Sequence, residues 1–341
     1  MAEVMTEYID RLCTIEIKPG GGPIPRGVTR QLYDAARKKQ GKPLSYLAAK
    51  TFIDTLKKGG SFFIVTGAGG PPILPVGEVD GLLGAASIAR ALDLAFGAKP
   101  VIVGEERIRA PIQASLAAAG VALVGQDIFD DKPHSAILEP VPIDDAGSKK
   151  KCKELLDRYH PKAMIAIERL APNRKGIIHG ATGLSYHDVH AKTQYLFEAA
   201  PDRKIKTIGI GDMGNETGFG MIIDDVLKIA PFGAKCQCPC GMGMATVTPT
   251  DVLVSAAISN WGAYGISAAL AALLKRPELL QDPNTQRRML EACVMAGAVD
   301  GLHASMILSD DGVPEPSHQS LVQLLHAIVD VGLSNPATPG H

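Results

Sequence analysis

The sequence predicts an α/β fold: a mostly parallel, twisted sheet with helices on both faces, preceded by an N-terminal helical layer. Three observations predict it. From Ser61 onward, short apolar, β-branched runs alternate with Ala- and Leu-rich helical stretches, the sequence form of parallel strands joined by crossover helices. Before about residue 58, apolar positions recur at helical spacing instead. The 341 residues, 46% hydrophobic and 21% charged, suffice for a sizeable core and lie outside the disordered range. The expected organisation is therefore a helical layer over 1–58, a Rossmann-like three-layer α/β catalytic domain over 59–333, and a polar tail over 334–341.

The helical layer comprises Thr6–Cys13, Val28–Lys38 and Leu44–Lys57, with the first two separated by the Gly- and Pro-rich turn Lys18–Pro25. Strands are expected at Phe62–Thr66, Pro100–Val103, Val121–Val124, Ala136–Val141, Ala163–Ile167, Thr207–Ile210 and Val252–Ala256, with further extended pieces at Ala234–Cys238 and Ala245–Thr248. Between them lie helices at Leu82–Phe96, Arg107–Ala119, Lys149–Tyr159, Ala191–Ala199, Met221–Ile229 and Ile266–Lys275. Thr285–Gly297 and Ser317–Val331 supply two more.

Charge and cysteine usage narrow the function classes. Lys and Arg total 35 against 36 Asp and Glu, so the basic footprint of a nucleic-acid or anionic-membrane binder is missing. A small-molecule partner is expected, with homo-oligomerisation left open. The first ten residues carry Glu3, Glu7 and Asp10 where a signal peptide would be basic and then apolar, which points to the cytoplasm. Six cysteines are too few for a disulfide scaffold. Cys236, Cys238 and Cys240 do not match a recognised tetrahedral metal spacing, so they read as small buried hydrophobes. His179, His187 and His190 read as solvated or helix-start residues.

Open parallel sheets bind ligands beyond the carboxyl ends of their strands. The loops expected there carry Gly69 and Gly70, then Glu78 and Asp80, Glu168 and Arg169, Asp212, Asn215 and Glu216, and finally Asn260 and Trp261. Each has a plain structural reading too: Asp80, Asp212, Asn215 and Glu216 suit helix caps, and Glu168–Arg169 suits a surface ion pair. Their joint placement at strand ends makes them one candidate site. Gly209–Gly214 formally matches the dinucleotide pattern G-x-G-x-x-G, but Asp212 and Glu216 would set negative charge against a pyrophosphate.

Four segments carry a resemblance: Gly77–Ala86, Ile167–Arg169, Thr207–Gly220 with its Gly-Asp-x-Gly-Asn-Glu core, and Ser259–Gly265 beginning Ser-Asn-Trp-Gly. In this order they resemble the carboxy-terminal domain of the D-glutamate cyclase-like family, over roughly residues 60 to 330. The chain departs from that family's pattern at Leu82 and Leu170, where the family has proline, and in its three-cysteine run.

The resemblance implies closure of D-glutamate, or a close acidic analogue, to 5-oxo-D-proline with loss of water. That chemistry needs an activated γ-carboxyl group and a neutral amine held together. From residue chemistry, Asp212, Asn215 and Glu216 are expected to hold a divalent cation, Mg²⁺ or Mn²⁺. Glu168 is expected as general base, with Glu78 and Asp80 as further catalytic carboxylates next in line for that role together with Asp300, and Arg169 as a bidentate clamp on a substrate carboxylate. Gly69, Gly70, Asn260, Trp261 and Asp300 complete the expected substrate-binding set. Three other readings remain open: a hydrolase opening a small lactam or lactone, an NAD-dependent oxidoreductase, and a non-catalytic module binding acidic amino acids.

Overall fold

A computed structural model describes residues 2–19 and 25–334. Positions 20–24 of the expected Lys18–Pro25 turn, and 335–341 of the expected polar tail, lie outside the described residues. Seven parallel strands form the central sheet: β1 (Ser61–Thr66), β2 (Lys99–Gly104), β3 (Ala122–Leu123), β4 (Ser135–Pro140), β5 (Ala163–Ile167), β6 (Lys206–Gly211) and β7 (Val252–Ser255), in the order β3-β4-β2-β1-β5-β6-β7. All seven coincide with principal strands expected from sequence. The two further extended pieces do not form: 234–238 and 245–248 are irregular backbone.

Strand alternation sorts the core. Phe62 and Ile64 of β1 point to one face, where they join Ile102, Ile165, Ile208 and Ile210; Phe63 and Val65 point to the other, with Val101, Val103 and Met164. The second face is covered by the helix Asp145–Tyr159, through Leu155 and Leu156, and by the short helix Gln194–Glu198. The first face carries α4 (Leu82–Phe96) and the helices Arg109–Ala118, Ser259–Leu274 and Pro283–Met295. The architecture is thus the expected three layers.

The N-terminal helices α1 (Ala2–Cys13), α2 (Val28–Gln40) and α3 (Leu44–Thr55) belong to the same core, since Ile9, Cys13, Leu32 and Phe52 are buried in the cluster that includes Trp261 and Leu325. α1 is tied to α3 by Asp10, whose carboxylate accepts the backbone N–H of Leu44 at 2.5 Å and of Ser45 at 3.1 Å. Pro43, which precedes α3, has no polar side-chain atom to cap it, so α1 supplies the cap. Among the described residues no helix is long and apolar enough to cross a membrane.

One helix starts a full turn and more before the expected Ile266. The segment Ser259–Gly262, expected as a loop after β7, is the first turn of Ser259–Leu274. Gly262 is a poor helix former by intrinsic propensity. Packing outweighs that preference: a Cβ on Gly262 would lie 2.6 Å from Ile210 Cγ2, so glycine lets the helix press against β6.

Candidate active site

The chain leaves β1 toward β2 on one side and later returns to β5 on the other, so the sheet's topological switch point falls between β1 and β5. Thr66 ends β1 beside Ile167, which ends β5, and its hydroxyl donates to the Ile167 carbonyl at 2.9 Å. Such a divergence opens a crevice for ligand. Glu168 is the next residue, and its φ of +46° is left-handed backbone that a non-glycine residue rarely adopts. Gly81, at the start of α4, packs directly on this corner. A Cβ there would meet Glu168 Cβ at 2.8 Å, and its own φ is +88°.

A cavity of about 340 Å³ opens at this point, with Glu78, Glu168, Asp212, Asp311, Lys18 and Asn215 among the residues on its walls. The Glu168 carboxylate accepts a 2.6 Å hydrogen bond from the Ser259 hydroxyl. Burial first, and then the charges of Glu216 and Asp212, push the Glu168 pKa well above the carboxylate range, favouring the neutral acid. Glu78 is raised by burial and by Asp311 and Asp80. Asp212 is raised by burial to about 7 against the pull of Lys18, and Asp311 likewise to about 6. Lys18 Nζ bridges Asp212 and Asp311, reaching Asp311 Oδ2 at 2.5 Å. Burial works against the ammonium, but the two aspartates outweigh it and raise its pKa well above normal.

Of the expected site residues, Glu78, Glu168, Asp212, Asn215 and Gly69 line this cavity. The others are spent on the scaffold. Arg169 is fully buried and aims its guanidinium away from the cavity at Glu105, donating at 2.8 and 2.9 Å. Its remaining N–H groups go to the Gly67 and Ala191 carbonyls and the Thr193 hydroxyl. Burial opposes ionisation of Glu105, yet Arg169 prevails and holds its pKa at about 2. Arg169 therefore has no free fork for a substrate carboxylate, and Glu168–Arg169 is not a surface ion pair either.

Glu216 is held by the backbone, although one of its carboxylate oxygens lies within 4.8 Å of those of Glu168 and Asp212, a grouping that could hold a cation. It accepts the backbone N–H groups of Asp212 and Met213 through Oε1, at 3.1 and 3.0 Å, and of Gly214 through Oε2 at 2.8 Å. This settles the G-x-G-x-x-G pattern as well: the amides that would cradle a pyrophosphate are filled by the chain's own carboxylate. Gly209 and Gly211 are used in packing, with a Cβ at 2.2 Å from the Thr217 carbonyl and 2.7 Å from the Glu216 carboxyl carbon.

Asp80 and Asn260 turn inward. Asp80 accepts the N–H groups of Ser259 at 2.9 Å and Asn260 at 2.7 Å, while Asn260 Oδ1 accepts those of Gly81 and Gly84. Trp261 is 1% exposed and its indole donates to His318 Nδ1 at 2.8 Å, so it anchors the core instead of lining the cavity. Asp300 braces the loop before Val313 by accepting from Ser309, Gly312 and His303. Gly70 packs on Val189, which a Cβ would meet at 2.7 Å. Conversely, Lys18, Asp311 and Ser259 were not singled out from sequence. Lys18 and Asp311 sit in turn-like segments, where a lone charge carries no local signal of its partner.

The cysteines also depart from expectation. Cys236 is buried, Cys238 and Cys240 are only half-buried, and all three converge on a fully buried His179. His190 is likewise buried, 3.4 Å from Glu105, and not solvated.

A family model described as D-glutamate cyclase-like, C-terminal matches residues 21–326. Among curated proteins, the mitochondrial D-glutamate cyclase of Homo sapiens is 27% identical over 155 residues, covering 42% of this chain and 24% of that protein. The chain thus matches about a quarter of the length of that relative.

Proposed function

Because this chain belongs to the D-glutamate cyclase-like, C-terminal family, we propose that it is a lyase that closes D-glutamate, or a close acidic analogue, into a five-membered lactam with loss of water. The observation that carries this reading is a buried carboxyl group, Glu168, whose surroundings favour its neutral acid, opposite further carboxylates on one small cavity. Ring closure needs such a set. The substrate ammonium must lose two protons to become the lactam N–H, and one γ-carboxylate oxygen must gain two to leave as water. Glu168, expected from sequence as the base, starts instead as the acid and protonates a γ-carboxylate oxygen, while Asp311 on the same cavity, raised only to about 6 and so ionised at neutral pH, takes one proton from the ammonium. Nitrogen bonds to the γ-carbon and returns its second proton to Glu168, and Asp311 passes its proton to the departing oxygen as the carbon–oxygen bond breaks. Two protons leave nitrogen, two leave with water, and both carboxyl groups end as they began.

Arg169 being occupied, the α-carboxylate falls to Arg26 on the cavity wall and to the one Lys18 N–H that Asp212 and Asp311 leave free. A divalent cation fits the donor set in part: Asp212 offers its carboxylate, and Asn215 Oδ1 is buried with no hydrogen-bond partner. Mg²⁺ or Mn²⁺ held by these oxygens would draw charge from the γ-carboxyl group. Ser259 keeps the Glu168 carboxyl pointed at the cavity through its hydroxyl.

The test is a mass-spectrometric screen of acidic amino acids and small lactams and lactones, with and without Mn²⁺, for loss or gain of one water. Water loss from D-glutamate or an analogue, abolished in Glu168→Gln, supports the proposal. Gain of water by a lactam or lactone assigns the ring-opening direction, which uses the same acid and base in reverse. Ligand retained without turnover would reduce the protein to a binding module.

A further inference from the structure

The three cysteines and His179 lie in two segments that meet beside the cavity. Cys236 Sγ is 3.6 Å from Cys238 Sγ and 3.3 Å from Cys240 Sγ, while His179 Nε2 is 3.2 Å from Cys238 Sγ and 3.6 Å from Cys240 Sγ. All four potential ligand atoms fall within 4.8 Å of one another. A tetrahedral zinc with Zn–S near 2.3 Å and Zn–N near 2.0 Å requires edges of about 3.5 to 3.8 Å between ligand atoms. The four shortest edges, 3.2 to 3.6 Å, are close to that.

Two supporting contacts fit a metal and not chance packing of thiols. His179 Nδ1 is 3.0 Å from the Ile177 carbonyl, which can only accept, so Nδ1 carries the hydrogen and Nε2 presents its lone pair to the sulfurs. Asn173 Nδ2 donates to Cys240 Sγ at 3.5 Å and to the Gly243 carbonyl at 2.6 Å, placing an N–H where a thiolate would draw one. A disulfide between two of the cysteines would use neither the imidazole nor the third thiol.

We propose that Cys236, Cys238, Cys240 and His179 bind one structural zinc ion that pins a wall of the cavity. Four protein ligands close the coordination sphere, which makes the site structural and not catalytic. Thiolate sulfur selects zinc over the hard cations suited to the oxygen-rich cavity, so the two sites take different metals. The wall connection is direct. Gly180, Ala181 and Thr182, immediately after His179, line the cavity, and Asn215 Nδ2 donates to the His179 carbonyl at 3.1 Å. The cysteine segment is laced to the same wall by Gln237, whose backbone N–H reaches Gly183 O at 2.9 Å and whose side chain reaches Thr182 O at 2.7 Å.

The experiment measures metal by mass spectrometry in untagged full-length protein purified under reducing conditions from zinc-replete cells. About one zinc per chain is expected, falling steeply in Cys238→Ser and unchanged in Asp212→Asn, which alters the carboxylate cavity alone. The parental protein reconstituted with Co²⁺ should show thiolate-to-cobalt charge transfer and the intense ligand-field bands of tetrahedral cobalt, a readout that needs no variant to fold. The proposal is overturned by zinc below about a tenth per chain with thiols that titrate freely. It is equally overturned by a Cys236–Cys240 disulfide in the reduced preparation, by iron as the bound metal, or by zinc retained in Cys238→Ser and in Cys236→Ser. None of these outcomes depends on whether the protein cyclises an amino acid.

Discussion

Asp80 and Asn260 cap each other's helices. Asp80, just ahead of α4, accepts the first two N–H groups of the helix Ser259–Leu274; Asn260, inside that helix, accepts the N–H groups of Gly81 and Gly84 at the start of α4. Neither helix has a side-chain cap from its own N-cap residue, Gly81 or Ile258. The exchange locks together the two helix ends that frame Glu168, and Asn260 Nδ2 extends the lock to Asp310 at 2.8 Å.

Asn260→Ala is accordingly expected to lower stability by at least about 2 kcal/mol, because it removes a cap and strands buried partners. Urea denaturation of parent and variant reads this directly. A variant that unfolds at the parental midpoint but has lost turnover would return Asn260 to the role of substrate contact.

Arg169→Ala is expected to cost about 3 kcal/mol, since the buried Glu105 charge would lose its bidentate partner and keep only the Ala191 N–H and the more distant Arg107 at 3.6 Å. Any loss of activity should follow from unfolding, not from weakened substrate binding. Should Arg169→Lys raise KM many-fold with its melting temperature intact, the guanidinium would have to reach substrate after all.

Trp261 stacks edge-on against His318, their ring centroids 5.7 Å apart, and is the sole tryptophan. Its fluorescence should follow unfolding and ignore saturating substrate. Burial lowers the His318 pKa to about 4 from an ordinary value of 6.5. Below pH 6.5 the unfolded chain therefore takes up a proton that the folded one refuses, and this contribution to stability is lost as pH falls toward 4. His318→Gln should flatten that part of the acid limb in fluorescence-monitored melts.

Glu168→Gln keeps the shape of the neutral acid and removes its proton. Turnover is expected to fall by about 10²–10⁴-fold. Stability has a defined sign. A carboxyl whose folded pKa is raised binds more protons folded than unfolded, so stability is lost as pH rises toward that pKa. The melting temperature of Glu168→Gln in cation-free buffer should therefore exceed the parent's at pH 8 and approach it at pH 5. Parental turnover in this variant would move the proton donor elsewhere on the cavity.

The fold, and the edge of the sheet where the candidate site residues gather, were legible in the amino-acid sequence. Strand and helix are written in local periodicity, 2 against 3.6, and β1 through β7 could be placed from runs such as Phe62–Thr66 and Ala163–Ile167 without knowing their neighbours. Parallel strands then force the loops at their carboxyl ends together, so Glu78, Glu168 and Asp212 were bound to share one rim. Which polar residues on that rim remain free depends on contacts made across the folded chain. Asp80, Arg169, Glu216 and Asn260 look as reactive in sequence as Glu168 does. Each has its hydrogen bonds consumed by partners, and those of Asn260 and Asp80 lie about 180 residues away. The same distance hid Lys18, brought to Asp212 across 194 residues, and His179, brought to Cys238 across 59. A hydrogen bond or a ligand set is satisfied in space, and side-chain type fixes only what a residue can bond, not what the folded chain places within its reach.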